Sequence, residues 1–161
     1  MLFRSEIEPS AQTKGTTVTI RDLFFNTPAR KKFLKNDNTE FAHIENLIKR
    51  IALSHFDIHF SLSHNNKSCF KINNAKNIRD QEHRIATICG KTFIQHAVNI
   101  SFEAGDLKIY GWLAQPTFSR SQADLQYFYV NHRAVKDKLV THAIRQAFAD
   151  VLYNKRHPAY V

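Results

Sequence analysis

Glycine and long apolar runs are scarce in this sequence, and each scarcity excludes a class of protein. The 161 residues include only 4 glycines, too few for a loop that cradles phosphate groups with its backbone N–H groups. No apolar run is long enough to span a bilayer. No segment has the basic and apolar faces of a membrane-surface helix. Glu6 and Pro9 interrupt the first residues, so we expect no signal peptide.

Cysteine is almost absent as well. Cys69 and Cys89 are the only two, and they do not form a Cys-x-x-Cys pair. This usage predicts buried, apolar cysteines in a reducing cytoplasm. A disulfide or a catalytic thiol is the less favoured alternative.

The sequence also lacks a recognisable catalytic constellation. Its acidic residues are scattered, with no pattern that would bring them together: Glu40, Glu45, Glu82, Glu103 and Asp106. His55 and His59 have a spacing that suggests a metal site, but they straddle a predicted helix–strand boundary and would not share a helix face. We therefore predict no catalytic residues and no metal site.

Positive charge is what the chain has in excess. The formal net charge is +9 and the isoelectric point about 9.7, which predicts an anionic partner. A nucleic acid is a better candidate for this anionic partner than a membrane surface. With 43% hydrophobic residues, the chain has enough apolar side chains for one domain with a core.

Hydrophobic periodicity predicts the secondary structure. Residues 2–8 and 16–21 read as paired strands, since Thr17–Ile20 are all β-branched. A long helix is predicted from Thr39, capped by Asn38 or Thr39. It has one apolar face: Phe41, Ile44, Leu47, Ile48 and Ile51.

The second half of the chain continues this alternation of strands and helices. The predicted elements are strands at 57–63 and 68–72 joined by Asn65-Asn66, a helix at 79–89, strands at 97–102, 107–113 and 125–130, a helix at 137–151, and the start of a strand at 158–161. An α+β fold with helices packed on one sheet face follows.

The stretch Gly15–Phe33 is the most distinctive part of the sequence. A strand leads into Thr27, which can cap a helix, and Pro28, which suits its first position. Residues 29–34 then form a short basic helix that can aim charge at a phosphate. A surface helix with solvated lysines is the competing interpretation.

This stretch resembles the MutL family of DNA mismatch-repair proteins. The matching residues are Gly15-Thr16-Thr17, the run Asp22-Leu23-Phe24-Phe25-Asn26-Thr27-Pro28-Ala29-Arg30, and Lys31-Lys32-Phe33-Leu34. Thr39–Phe41, Arg50–Leu53 and Tyr129–Asn131 resemble later family segments. The resemblance implies the end of a GHKL-type ATPase domain at 1–26. It implies a transducer domain at 27–161, truncated at its C-terminus, with helices on one face of a mixed sheet as in a ribosomal small-subunit protein.

The resemblance also bears on nucleotide binding. The family's magnesium-binding asparagine helix and its phosphate loops are not in this sequence, so we expect no cofactor here. ATP and Mg²⁺ are expected for the full-length protein, which resembles a weak ATPase. Gly15 and Thr16 match the last ATPase motif and are the partial nucleotide site that the resemblance implies. On this basis the chain is an internal fragment.

For DNA, the resemblance implies Lys32, Lys35, Arg50 and Lys138 as contacts in a positively charged groove between dimerised N-terminal regions. Sequence-independent backbone contacts are expected. Family partners would be mismatch-recognition, nicking and unwinding proteins, in the cytoplasm. The alternative function is a stand-alone basic nucleic-acid-binding module of ribosomal-protein type, which should be complete at both ends.

Overall fold

The computed structural model describes residue 11 and residues 14–152 and 156–161. They belong to two compact units, Met1–Asn36 and Asp37–Val161. Together they contain five helices and three two-stranded antiparallel sheets, so the predicted α+β class is confirmed.

Among its described residues, the first unit has one short helix, α1, at Pro28–Lys31. Pro28 occupies its first position, as predicted, but Thr27 makes no side-chain capping hydrogen bond, and the helix ends three residues before Leu34. The strand predicted at 16–21 is not among the strands of the described residues. Its predicted partner, residues 2–8, lies outside the described residues.

The second unit holds the remaining elements. In chain order they are α2 (Asp37–Ser54), β1 (Phe60–His64), β2 (Lys67–Ile72), α3 (Ile78–Cys89), α4 (Lys91–Gln95), β3 (Ala97–Ala104), β4 (Leu107–Ala114), β5 (Tyr129–Val130), β6 (Arg133–Ala134) and α5 (Lys138–Ala147).

Both predicted hairpins form. Asn65 and Asn66 join β1 to β2 with φ of 50° and 61°, values that asparagine adopts more readily than most residues. Gly105, with φ 57°, turns β3 into β4. Three two-stranded pairings follow the chain order: β1 with β2, β3 with β4, and β5 with β6.

Helix boundaries differ from the predictions in several places. Helix α2 begins at Asp37, so Asn38 and Thr39 lie inside it and do not cap it. Helix α3 is capped by Asn77, whose side chain accepts a hydrogen bond from the Asp80 N–H at 3.0 Å. The periodicity did not predict α4, and α5 ends at Ala147, four residues before the predicted Val151.

The last residues pair with β4. The Trp112 and Val161 backbones exchange two hydrogen bonds of 2.9 and 3.0 Å, and Tyr160 bridges Leu113 in antiparallel and Gln126 in parallel orientation. Residues 159–161 therefore join the β3–β4 hairpin to the segment that leads into β5. At the predicted strand start, 158–161, the structure has isolated bridges at Tyr160 and no regular strand.

The core lies against one face of the β3–β4 hairpin. Its buried members are Leu53, Ile85, Phe93, Trp112, Ala114 and Ala159. The strand register puts Phe102 opposite Ile109 on the other face, and these two side chains are 64% and 55% exposed. The apolar face predicted for α2 is also largely open, since Ile44 and Leu47 are 49% and 57% exposed.

Arg84 is a charged residue inside this core. It is 2% exposed, and its guanidinium donates to the carbonyls of Ala52, His55, Ile58 and Asn73. The ring of Phe56 lies 5.6 Å from the guanidinium carbon. Burial lowers the pKa of Arg84, and the Asp57 carboxylate partly opposes that shift. The side chain thus joins the end of α2, the segment before β1, and the segment after β2.

We predict that Arg84→Met destabilises the chain strongly, while Arg79→Met does not. The first change leaves the buried Ala52 carbonyl without this donor, at about 1–3 kcal/mol, and also removes the donor from three part-buried carbonyls. Arg79 is exposed on the same helix, where substitutions cost roughly 0.5 kcal/mol or less. Urea melts of both variants would measure the difference, and an equal loss would contradict the role of Arg84.

Gly111 lies where residues 159–161 approach β4 most closely. Its φ is +151°, and an added Cβ would lie 2.2 Å from the Val161 carbonyl oxygen. No side chain fits in that space without moving one of the two strands.

We therefore predict that Gly111→Ala costs more stability than Gly105→Ala. Both glycines have a positive φ, but an added Cβ at Gly105 meets nothing within 4 Å, so only conformational strain of roughly 1–2 kcal/mol applies there. The contact with Val161 should add about 1–3 kcal/mol for Gly111→Ala. Chemical denaturation of the two variants side by side tests the ranking, and its reversal would show that the close approach does not constrain the fold.

Candidate nucleic-acid interface

In the first unit, the candidate residues lie on an exposed surface. Gly15 and Thr16 are exposed and belong to no helix or strand. Lys32 immediately follows α1, Lys35 lies three residues further on, and both are exposed. Arg30 and Lys31 form the last turn of α1, where positive charge also suits the negative end of the helix dipole.

In the second unit, Arg50 lies on α2 one turn before the helix ends. It is half-buried, and its guanidinium carbon lies 6.0 Å from the centre of the Tyr127 ring. The Arg50 carbonyl accepts a 2.9 Å hydrogen bond from the Tyr129 hydroxyl. Burial raises the pKa of both tyrosines, and the charge of Arg50 partly offsets the rise, so these phenols stay protonated near neutral pH.

Lys49 has a different environment from its neighbour Arg50. Its ammonium nitrogen lies 2.6 Å from Glu45 Oε1, one helical turn away. Such a partly exposed ion pair contributes little stability. It does, however, offset the charge of Lys49 locally.

The turn between β5 and β6 is attached to the same end of α2. Asn131 and His132 have φ of 48° and 65°, as in the two-residue turns that match strand twist. His132 Nδ1 lies 2.8 Å from the Ser54 carbonyl oxygen, so this nitrogen carries the proton that it donates. Tyr129 and His132 together attach the β5–β6 hairpin to the last turn of α2.

Helix α5 also carries exposed positive charge. Asp137 caps it, accepting hydrogen bonds from the Leu139 and Val140 N–H groups at 2.8 and 3.1 Å. Lys138, the first helical residue, is exposed. It borders an open depression of about 520 Å³ lined by Lys136, Asp137, Lys138, Thr141, His142 and Arg145.

Sequence reasoning identified Lys138 but not its neighbours Lys136 and Arg145. Residues three or four positions apart share a helix face, so the spacing of Lys138, His142 and Arg145 was an available signal. These three residues lie outside the apolar stripe of α5, whose members Ile144 and Phe148 are half-buried. Arg50 and Lys138 belong to one compact unit, and Lys32 and Lys35 to the other.

Other chemistry finds little support in the described part of the chain. No group of three or more potential metal ligands occurs there. His55 and His59 both lie in the segment between α2 and β1, rather than on either side of a helix–strand boundary. Cys69 is exposed, contrary to the prediction, while Cys89 is half-buried. Burial raises the pKa of Cys89 to about 12, which makes its thiol unreactive. None of the described helices is both long and apolar enough to cross a membrane.

Comparisons with known proteins identify the family. A sequence profile described as "DNA mismatch repair protein, C-terminal domain" matches residues 85–161. The chain is 55% identical over 159 residues to DNA mismatch repair protein MutL of Cellvibrio japonicus, covering 99% of this chain and 25% of that protein. The chain belongs to the MutL family. It is also 52% identical over 159 residues to MutL of Pseudomonas aeruginosa, with the same coverage of 99% and 25%.

Solved structures with the same fold include a MutL region. The Aquifex aeolicus MutL ATPase domain complexed with ADP matches with a TM-score of 0.61 and 23% identity, over 88% of this chain and 50% of that one. The N-terminal domain of a DNA repair protein matches with a TM-score of 0.67 and 21% identity, over 85% and 45%. This chain spans about a quarter of its curated MutL relatives, and so it is part of a MutL DNA mismatch repair protein.

Proposed function

We propose that this chain is the transducer region of a MutL-type protein and contributes to a positively charged DNA-binding groove. Residues 1–26 would complete the ATPase domain and residues 27–161 would form the transducer. In the full-length protein the region would relay the nucleotide state to the groove between two dimerised N-terminal regions. The observation that carries this proposal is the exposed depression at the start of α5, which is lined by three cations, Lys136, Lys138 and Arg145, and by one carboxylate, that of the capping Asp137.

The pairing of residues 159–161 supports the proposed fold. Tyr160 is antiparallel to Leu113 and parallel to Gln126, so a sheet that grew from these bridges would be mixed. The core packs on the Trp112 and Ala114 face of the β3–β4 hairpin. Both features are expected of helices packed on one face of a mixed sheet, the ribosomal-protein-like arrangement proposed for the transducer.

The proposed nucleotide role of this chain is indirect. Gly15 and Thr16 would approach ATP only when the rest of the ATPase domain is present, because an exposed threonine and one glycine cannot enclose a nucleotide. The full-length protein would bind ATP with Mg²⁺, hydrolyse it slowly, and act in the cytoplasm with mismatch-recognition, nicking and unwinding proteins. ADP in the Aquifex aeolicus relative is consistent with this proposal.

The proposed DNA contacts are to the phosphate backbone. Lys32, Lys35 and Lys138 are exposed and can reach phosphates as point charges, whereas Arg50 offers a planar fork of N–H donors. Contacts of this type do not discriminate between base sequences. They weaken as the salt concentration rises, because binding releases counterions from DNA.

We predict that this chain alone neither hydrolyses ATP nor binds it tightly. Its sequence lacks the family's magnesium-binding helix and phosphate loops. A triphosphate would therefore be attracted only by the basic side chains on the surface. Equilibrium binding of labelled ATP, with inorganic tripolyphosphate as the matched competitor, measures this. Micromolar affinity, about −8 kcal/mol, that tripolyphosphate does not compete would contradict the proposal, as would Mg²⁺-dependent phosphate release.

We predict weak DNA binding with little sequence preference, measured by fluorescence anisotropy on a short duplex at several salt concentrations. With ~4 phosphate contacts the log–log salt slope should be about −3 to −4. Lys138→Glu should weaken binding and reduce the slope by at least about one unit.

Lys76→Glu is the matched control for this experiment. Lys76 is also exposed, but it lies before α3, where its N–H donates to the Asp80 carboxylate at 3.1 Å, and it is not among the proposed contacts. Both variants change the net charge equally. Equal losses of affinity would mean that only the overall charge attracts DNA, and the groove assignment would be wrong.

A further inference from the structure

Arg50 rests on a tyrosine ring that the fold holds in place. Tyr127 is half-buried and packs against the hydrophobic core, and its backbone N–H donates to the Tyr160 carbonyl at 3.0 Å. The ring is therefore held by packing against the core and by the hydrogen bond of its own backbone. Its centre lies 6.0 Å from the Arg50 guanidinium carbon, within the range of a cation–π contact.

The segment that carries this ring is attached to the helix that carries the arginine. The Tyr129 hydroxyl donates to the Arg50 carbonyl at 2.9 Å, and His132 Nδ1 donates to the Ser54 carbonyl at 2.8 Å. Two hydrogen bonds to the C-terminal part of α2 thus hold the Tyr127 segment beside Arg50, although Arg50 and Tyr127 are 77 positions apart in the sequence.

An aromatic support suits a phosphate-binding arginine. The face of a guanidinium contacts a ring, whereas its N–H donors point outward in its plane and bind phosphate at the edge. A supported guanidinium also loses less side-chain freedom on binding than an extended, mobile one. Lys49, the adjacent cation, is held instead by the Glu45 carboxylate.

We infer that Tyr127 is a positioning residue for Arg50, and that its ring holds the guanidinium ready for a phosphodiester group of a nucleic-acid backbone. Tyr129 and His132 keep this support aligned with α2. The inference rests on the proposed function, in which Arg50 contacts DNA, and adds the reason why this one cation needs a fixed partner.

The experiment is a double-mutant cycle on DNA affinity in this chain. Tyr127→Leu removes the ring and should weaken binding about two- to fivefold, whereas Tyr127→Phe keeps the ring and should bind like the unmodified chain. Arg50→Ala should weaken binding further and reduce the salt slope by about one unit. In the Arg50→Ala background, Tyr127→Leu should have no additional effect.

The outcomes separate this inference from the proposed function. If Arg50→Ala changes neither the affinity nor the salt slope, Arg50 does not contact DNA. The proposed function and the positioning inference are then both wrong at this residue. If Arg50→Ala weakens binding while Tyr127→Leu does not, or if their effects multiply independently, the DNA contact stands and the positioning role is overturned.

A second readout does not depend on the Tyr127→Leu variant folding. Proton NMR of the Arg50 side chain in the unmodified chain and in Tyr127→Phe should show the Nε–H resonance shifted by the ring current of residue 127. A resonance at the position of an unstructured arginine in both proteins would overturn the inference.

Discussion

The guanidinium of Arg84 joins segments that are far apart in the sequence. It donates to carbonyls before β1, after β2 and at the end of α2, while it is almost completely buried. A buried charge is costly unless its hydrogen bonds are satisfied, and here carbonyl oxygens rather than a carboxylate satisfy them. Because the Ala52 carbonyl belongs to the last turn of α2, the positive charge also interacts favourably with the negative end of that helix.

The same helix end positions the candidate interface. The last carbonyls of an α-helix lack intrahelical partners, and in α2 other groups supply them. Arg84 donates to Ala52, the Ser54 hydroxyl to Ile51, and His132 to Ser54. The β5–β6 hairpin is therefore attached to the helix that carries Arg50. Loss of Arg84 would disturb the site as well as the core.

Apolar stripes identified the inward faces of the helices less well than expected. The stripe predicted for the last helix is half-buried at Ile144 and Phe148. On α2 the buried residues are Ala52, Leu53 and Ser54 near its end, none of which belongs to the predicted stripe. A periodic pattern shows which face of a helix is apolar, but burial depends on what the rest of the structure places against it. The described residues leave much of the α2 face and one face of the β3–β4 hairpin open to solvent.

The sequence by itself determined the local structure and the family. The Asn65-Asn66 turn, the Gly105 turn, helix α3 and the position of Pro28 follow from backbone preferences that act over a few residues, and the motif from Gly15 to Leu34 indicated the MutL family. Only the tertiary structure decided the burial of Arg84, the support of Arg50 by Tyr127, the donation from His132 to Ser54, and the need for glycine at Gly111. These contacts join residues that are distant in sequence, up to 79 positions apart for Tyr129 and Arg50, and local periodicity has no information about which distant side chain will meet a given carbonyl or ring.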